Sequence, residues 1–252
     1  MAHGEPLFSA VEIEINHYCN RRCSYCPNSV AKRKNTGEMN PELFLKLLKE
    51  LQDLGFAGRI SYNFYNEPLL HSNFRWIVSQ TRTHLPKSFI EVYTNGTELT
   101  HGTYTDLISA GVSHFVVTRH ENEKNYVFEE TFLRLSAEEK ERVTYQGHTV
   151  LHLTNRGGLL KNIGTGGLPL TPCFIPEFIV TVTVNGNVLP CFEDFNETLV
   201  MGNLQEKRLL EIWNQDNYIG FRKNLRRGLR HQYSPCKNCN RTEVLPPETR
   251  LA

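Results

Sequence analysis

Val11, Ile13 and Ile15 alternate with Glu12, Glu14 and Asn16, the two-residue period of a strand with two different faces. In a half-exposed strand the glutamates face water. In a closed or partly closed α/β barrel, helices cover the outer face and the polar face lines the lumen. Glu12 and Glu14 are then candidates for holding a polar substrate, with a structural salt bridge as the alternative. Next, Asn40-Pro41-Glu42 supplies a helix cap and a first-turn proline. Leu43, Leu47, Leu48 and Leu51 form the apolar face, and Gly55 ends the element. Strands are expected over 59–65, 89–93, 115–117 and 150–153, and helices over 73–83, 104–110 and 128–142. Such βα repetition implies a parallel sheet with right-handed crossovers. About five units fit before residue 165, too few for a closed eight-strand barrel of about 250 residues. The fold class expected is therefore α/β, with a partial, open β/α barrel.

Residues 157–172 carry Gly-Gly, Gly-Thr-Gly-Gly and two prolines, the punctuation of a linker. No Lys-Ser/Thr pair follows, so the glycines do not read as a phosphate loop. Beyond them, residues 179–184 form a β-branched run, Asn185-Gly186 predicts a type I′ hairpin turn, and 187–190 returns. Helices are expected over 204–213 and 218–227, where Arg226 and Arg227 complement a helix C-terminus. The division expected is a barrel over 1–165 and a small α+β domain over 166–252.

The 252 residues are 39% hydrophobic, enough for one large domain or a domain with an appendage. A formal net charge of +1 gives no bulk electrostatic argument for nucleic acid or membrane. No apolar run reaches membrane-span length and no signal-peptide pattern opens the chain, so the expected location is cytoplasmic. Seven cysteines are an odd number that argues against a complete disulfide framework. In a reducing cytosol they read as metal ligands.

Cys19, Cys23 and Cys26 lie in one short loop directly after the first strand. Three thiolates so placed can hold three irons of a cubane cluster and leave the fourth iron open to a small molecule. A three-cysteine zinc site completed by His17 is the alternative, although structural zinc sites favour two-by-two pairs. The second set, Cys173, Cys191, Cys236 and Cys239, suits either a structural zinc or a fully ligated iron–sulfur cluster, and spacing alone does not choose.

The C-x-x-x-C-x-x-C loop, with Tyr25 one residue before its last cysteine, resembles the signature of radical S-adenosylmethionine enzymes. The second set, with the runs Gly186 to Asp194, Met201-Gly202-Asn203-Leu204 and Ile212-Trp213, resembles a twitch domain, the shortened auxiliary-cluster domain of some members. Further runs extend the likeness over nearly the whole chain: Cys26 to Val30, Phe64 to Leu70, Tyr93 to Gly96 and Asn155 to Gly158. They resemble the branch that oxidises an aminocyclitol alcohol to a ketone in aminoglycoside antibiotic biosynthesis.

This resemblance implies two 4Fe-4S clusters, S-adenosyl-L-methionine and an external electron donor such as flavodoxin or ferredoxin. The implied substrate is a small aminocyclitol or sugar-like molecule. Arg156 and Tyr65 are the implied catalytic residues, and Glu12, Tyr93 and Phe192 would line the substrate pocket. Glu67 and Asn95 would bind the cofactor. Asn66-Glu67-Pro68 departs from the usual Gly-Gly-Glu-Pro pattern but keeps the glutamate acceptor.

Two clusters suit a two-electron alcohol oxidation. The rival reading, an epimerase on a carbohydrate or peptide, must return a hydrogen atom, typically from a cysteine thiol. The two expected cluster sets use all seven cysteines, leaving only a tyrosine such as Tyr65 as donor. A peptide substrate is the runner-up to the aminocyclitol, and no obvious leader-peptide-binding domain is expected at the N-terminus. Arg156 reads either as a turn charge or as the group facing the reacting hydroxyl. Guanidinium does not readily lose a proton, so stabilising a developing oxyanion is its easier role.

Overall fold

β1 (Ala10–Ile13) is followed by the cysteine loop and then by α1 (Pro41–Asp53). The computed structural model describes residues 7–120, 126–164, 166–168 and 170–242. Alternation continues through β2 (Arg59–Ser61), α2 (Phe74–His84), β3 (Phe89–Thr94), α3 (His101–Ala110), β4 (His114–Arg119), α4 (Val127–Arg134), α5 (Ala137–Glu141) and β5 (Val143–Gly147). The C-terminal part holds α6 (Ile175–Phe178), β6 (Ile179–Val182), β7 (Asn187–Leu189), β8 (Gly202–Asn203), α7 (Leu209–Asn214) and α8 (Asp216–Arg226). Among the described residues, eight strands form one open sheet in the order β5-β4-β3-β2-β1-β6-β7-β8. β1 to β5 pair in parallel, as the βα repeat predicts, and β6 joins parallel to β1. β7 and β8 then continue antiparallel. The open α/β sheet agrees with the expectation, and the C-terminal strands extend it directly.

α1 forms for the reasons legible in its sequence. Asn40 Oδ1 accepts from the N–H groups of Glu42 at 2.7 Å and Leu43 at 3.3 Å, and Gly55 takes φ 66° just past the end. Leu43, Phe44, Leu47, Leu48 and Leu51 are buried, each contributing about 1.5–3 kcal/mol.

Several local expectations are corrected. β2 stops at Ser61, because the chain turns at Phe64–Asn66 to reach the cysteine loop, with Phe64 N–H donating to Asn66 Oδ1 at 2.8 Å. The helix expected over 128–142 breaks at Ser136, which caps α5 in a reciprocal box with Glu139. The fifth strand is Val143–Gly147 rather than 150–153. Its alternation of Val143 and Tyr145 with Thr144 and Gln146 is the weaker pattern of an edge strand. At the hairpin only Gly186 has positive φ, and Gly186 N–H donates to Thr183 O at 2.8 Å. That is a bulged turn rather than type I′. The helix expected from 204 begins at Leu209.

Both strand glutamates are buried on the inner face, and both are paired. Glu14 receives Arg33 Nη2 at 2.9 Å and Nε at 3.1 Å, and Arg33 also reaches Glu197 at 3.0 Å. Burial raises the Glu14 pKa, against the opposing charge of Arg33. Arg33 thus ties the segment after the cysteine loop to the loop after β7; breaking such a buried pair costs about 3–5 kcal/mol. The salt-bridge alternative holds for Glu14. Among the described residues no helix is long and apolar enough to cross a membrane.

Candidate active site

The cysteine loop leaves the C-terminal end of β1 and is stitched to the turn after β2. Asn16 Nδ2 donates to Glu67 O at 3.0 Å, Asn66 Nδ2 to Asn16 Oδ1 at 2.6 Å, and Glu67 N–H to Tyr18 O at 2.9 Å. Inside the loop, Cys26 N–H donates to Cys23 O at 2.9 Å, and Arg22 Nη1 to Cys19 O at 2.9 Å. Burial pushes the Cys19 thiol up to about 11, reinforced by Glu67 and by the other two thiols. Such thiols ionise only with a cation to compensate them, which coordinated iron supplies. His17, the alternative fourth ligand, has its Nδ1 turned to Gly37, whose N–H donates at 2.7 Å.

Glu67 is 2% exposed. Its Oε1 accepts from Thr94 Oγ1 at 2.6 Å and Leu69 N–H at 3.2 Å, and its Oε2 from Asn95 N–H at 2.7 Å. Burial outweighs these bonds and raises its pKa to about 7. The carboxylate therefore locks the β2 and β3 exits together, leaving one acceptor position on Oε2. Asn95 is equally committed to the loop: its Nδ2 donates to Asn20 Oδ1 at 2.8 Å and approaches Cys19 Sγ at 3.9 Å. Beyond the expected residues, Tyr25 contacts His120 Nδ1 at 2.7 Å through its hydroxyl and stacks on His148 with ring centres 5.8 Å apart. Sequence gave no sign of this, because 95 and 123 positions separate the partners.

The second cysteine set is assembled by tertiary structure. Cys191 follows β7, Cys173 is anchored by its N–H on Leu225 O at 3.0 Å, and Cys236–Asn238 forms a helical turn. All four thiols line one cavity, with Ile175, Leu199 and Leu225 among its apolar walls. Burial pushes Cys191 well above the ordinary thiol range and Cys236 up to about 12. All seven cysteines are free thiols. Four thiols around one cavity supply one ligand for each iron of a cubane.

Tyr65 and Arg156 stand between the two sets, and each interacts electrostatically with both Cys26 and Cys191. The turn Arg156-Gly157-Gly158 holds Arg156 there, with φ values of 49°, 64° and 88°. Asn155 fastens it, donating from Nδ2 to Asn238 O and from N–H to Asn240 Oδ1, both at 2.8 Å. A Cβ on Gly157 would lie 2.4 Å from Pro235 Cβ, and one on Gly158 2.6 Å from Asn238 Cβ. The glycines thus serve the close approach of this turn to the C-terminal Cys-x-x-Cys segment.

Arg156 Nη1 lies 3.4 Å from Glu193 Oε1 and its guanidinium 5.6 Å from the Tyr65 ring centre. Its Nε is buried without a hydrogen-bond partner among the described residues. Tyr65 donates to Phe192 O at 2.8 Å. Glu193 also accepts from Arg241 Nε and Thr154 Oγ1, each at 2.9 Å. Glu12 and Tyr93 form a separate group around Arg59. Arg59 lies 3.3 Å from Glu12 Oε1 and 3.2 Å from Glu91 Oε2, and Tyr93 donates to Glu91 at 2.7 Å. Sequence reasoning missed Glu193, Arg241, Thr154 and Arg59. Glu193 lies within the run Gly186 to Asp194, and Arg59 shares the alternation of Ser61.

Comparison with known proteins identifies relatives of this chain. Residues 13–122 match the radical SAM superfamily, and residues 173–240 match SPASM, an iron-sulfur cluster-binding domain. The chain is 45% identical over 244 residues, 97% of each sequence, to the S-adenosyl-L-methionine-dependent 2-deoxy-scyllo-inosamine dehydrogenase of Niallia circulans. The crystal structure of BtrN in complex with AdoMet and 2-DOIA matches with a TM-score of 0.91 at 44% identity over 96% of each chain. BtrN in an open conformation matches at 0.78, with 39% identity over 96% of each chain. A third structure, anSMEcpe with bound AdoMet, shares the fold at 15% identity and a TM-score of 0.56, over 95% of this chain and 93% of that one. The chain belongs to the radical S-adenosylmethionine superfamily, as an oxidoreductase with a SPASM/twitch iron–sulfur domain that uses S-adenosylmethionine and 4Fe-4S clusters.

Proposed function

We propose that the chain oxidises the secondary alcohol of an aminocyclitol, 2-deoxy-scyllo-inosamine or a close analogue, to an amino-ketone. The observation that carries this reading is the placement of Arg156 and Tyr65 between two thiol sets, with the Arg156 Nε–H buried and unpaired. When bound, the first cluster and S-adenosylmethionine supply a carbon-centred radical that removes hydrogen from carbon, and the second cluster takes up an electron. The protein's task is to hold the alcohol and manage its charge. The carbinol must lose a hydrogen atom from carbon, a proton from oxygen and one electron.

Arg156 serves the second of these losses, that of the proton. Although burial opposes its charge, Tyr65, Glu193, Cys26 and Cys191 raise its pKa, so it stays cationic. Its free Nε–H can donate to the reacting oxygen and stabilise the negative charge that grows there. Glu193 and the Tyr65 ring hold the guanidinium, while Tyr65 and Phe192 close the pocket wall. The Glu12–Arg59–Tyr93 group supplies further polar contacts for the ring substituents, and the acceptor position left on Glu67 suits the methionyl amine of the cofactor. With all seven cysteines in the two sets, none remains to return a hydrogen atom, which favours oxidation over epimerisation.

We assign residues 1–165 to cofactor cleavage and 166–252 to the auxiliary cluster. The first electron is assigned to a flavodoxin- or ferredoxin-class donor in the cytoplasm, where free thiols stay reduced. The test is turnover of anaerobically reconstituted protein with 2-deoxy-scyllo-inosamine, cofactor and reductant. A product lighter by two hydrogens is expected by mass spectrometry. Cofactor cleavage with no ketone from any aminocyclitol in a panel would reject the assignment.

A further inference from the structure

Arg230 lies away from the reaction site, in the helical turn Arg230–Gln232 between α8 and the Cys-x-x-Cys segment. It is 1% exposed, which is unusual for an arginine. Two of its nitrogens are fixed by the backbone: Nη1 donates to Arg241 O and Nη2 to Pro172 O, both at 3.0 Å. Its Nε is buried and has no hydrogen-bond partner among the described residues. No carboxylate among them pairs with it either. The side chain lines the same cavity as Cys173, Cys191, Cys236 and Cys239.

The other charged groups around that cavity are already engaged. Glu193 is held by Arg241, Thr154 and Arg156. Asp194 accepts from Leu199 N–H at 2.7 Å and Thr198 Oγ1 at 2.9 Å. Arg241 is paired with Glu193 at 2.9 Å. An unmade buried N–H is costly unless the cavity's occupant accepts it. Arg230 and all four thiols border that one cavity, so its charge and the thiols share one occupant.

We propose that the Arg230 Nε–H donates a hydrogen bond to a sulfur of the auxiliary cluster and thereby raises its reduction potential. A cationic donor stabilises the reduced form, which carries one more negative charge than the oxidised form. The higher potential makes the cluster a better acceptor for the electron released as the ketyl radical anion becomes a ketone. The inference rests on the two-cluster dehydrogenase reading for its use, although the potential is measurable without substrate.

The test is an EPR-monitored redox titration of the auxiliary cluster in full-length wild type, Arg230→Met and Arg230→Lys, with iron content as control. The methionine variant removes charge and donor at similar length. Its equilibrium constant for one-electron reduction is expected to fall about tenfold, a shift of about 59 mV to more negative potential. The lysine variant, which keeps the charge, is expected to recover part of the shift. Ketone formed per 5′-deoxyadenosine should fall in the methionine variant, while hydrogen transfer into that nucleoside continues. An unchanged potential in a methionine variant with a full complement of iron would overturn the proposal. If that variant fails to hold its cluster, wild type grown with 15N-arginine decides by pulsed EPR of the reduced auxiliary cluster. Nuclear coupling to an arginine nitrogen and to an exchangeable proton is expected, and its absence overturns the proposal. Ketone formation by wild type beside an unmoved variant potential would reject Arg230 alone. A moved potential without aminocyclitol oxidation would reject only the substrate assignment.

Discussion

Arg156→Ala is expected to lose about a hundredfold in ketone formation, roughly 3 kcal/mol of transition-state stabilisation. Both clusters should stay assembled, and cofactor cleavage should continue uncoupled from product. Arg156 already takes φ 49°, and alanine meets the same left-handed backbone strain, so the loss reports the guanidinium rather than the turn. Arg156→Lys keeps the charge but not the planar fork, and is expected to recover only part of the activity. Ketone and 5′-deoxyadenosine measured side by side, with iron content, distinguish these outcomes. A near-wild-type ketone yield from the alanine variant would return Arg156 to the role of a turn charge paired with Glu193.

Joint replacement of Cys19, Cys23 and Cys26 by alanine is expected to abolish cofactor cleavage altogether. Iron should fall from about eight to about four per chain, because the remaining four cysteines hold a separate cubane. The loop is also held by the bonds of Asn16, Tyr18 and Asn20 to the β2 and β3 exits, so the measurement belongs on the full chain, with the auxiliary cluster's spectrum as an internal control. Stoichiometric zinc at Cys173, Cys191, Cys236 and Cys239, in protein made with iron–sulfur assembly support, would contradict the two-cluster account.

The sequence is most informative where chemistry is local. The Cys19–Cys26 loop, the Asn40 cap of α1 and the β1 alternation were each legible because their partners lie within a few positions. Parallel pairing of β1 to β5 followed from the βα repeat. The direct joining of β6 to β1 did not, since a pairing across some 169 positions leaves no periodic trace. Likewise, Glu14 read as a lumen glutamate, but only the fold shows Arg33 spanning it and Glu197. Glu67 was identified as an acceptor, whereas two of its three protein donors, Thr94 and Asn95, appear only once the β2 and β3 exits meet. The Asn155–Gly158 run carried its own turn signal, but the reason for its glycines is the Cys-x-x-Cys segment pressed against them. Edge strand β5 was misplaced because an edge imposes weaker alternation than a central strand.

The central claim is that a hydrogen atom leaves a carbinol carbon irreversibly and that a ketone remains. The most direct measurement uses 2-deoxy-scyllo-inosamine carrying deuterium at the reacting carbon, with product and nucleoside analysed together by mass spectrometry. The account predicts deuterium in 5′-deoxyadenosine, with one nucleoside formed for each amino-ketone. A product isomeric with the substrate and bearing one solvent-derived hydrogen on carbon would contradict it and establish an epimerase.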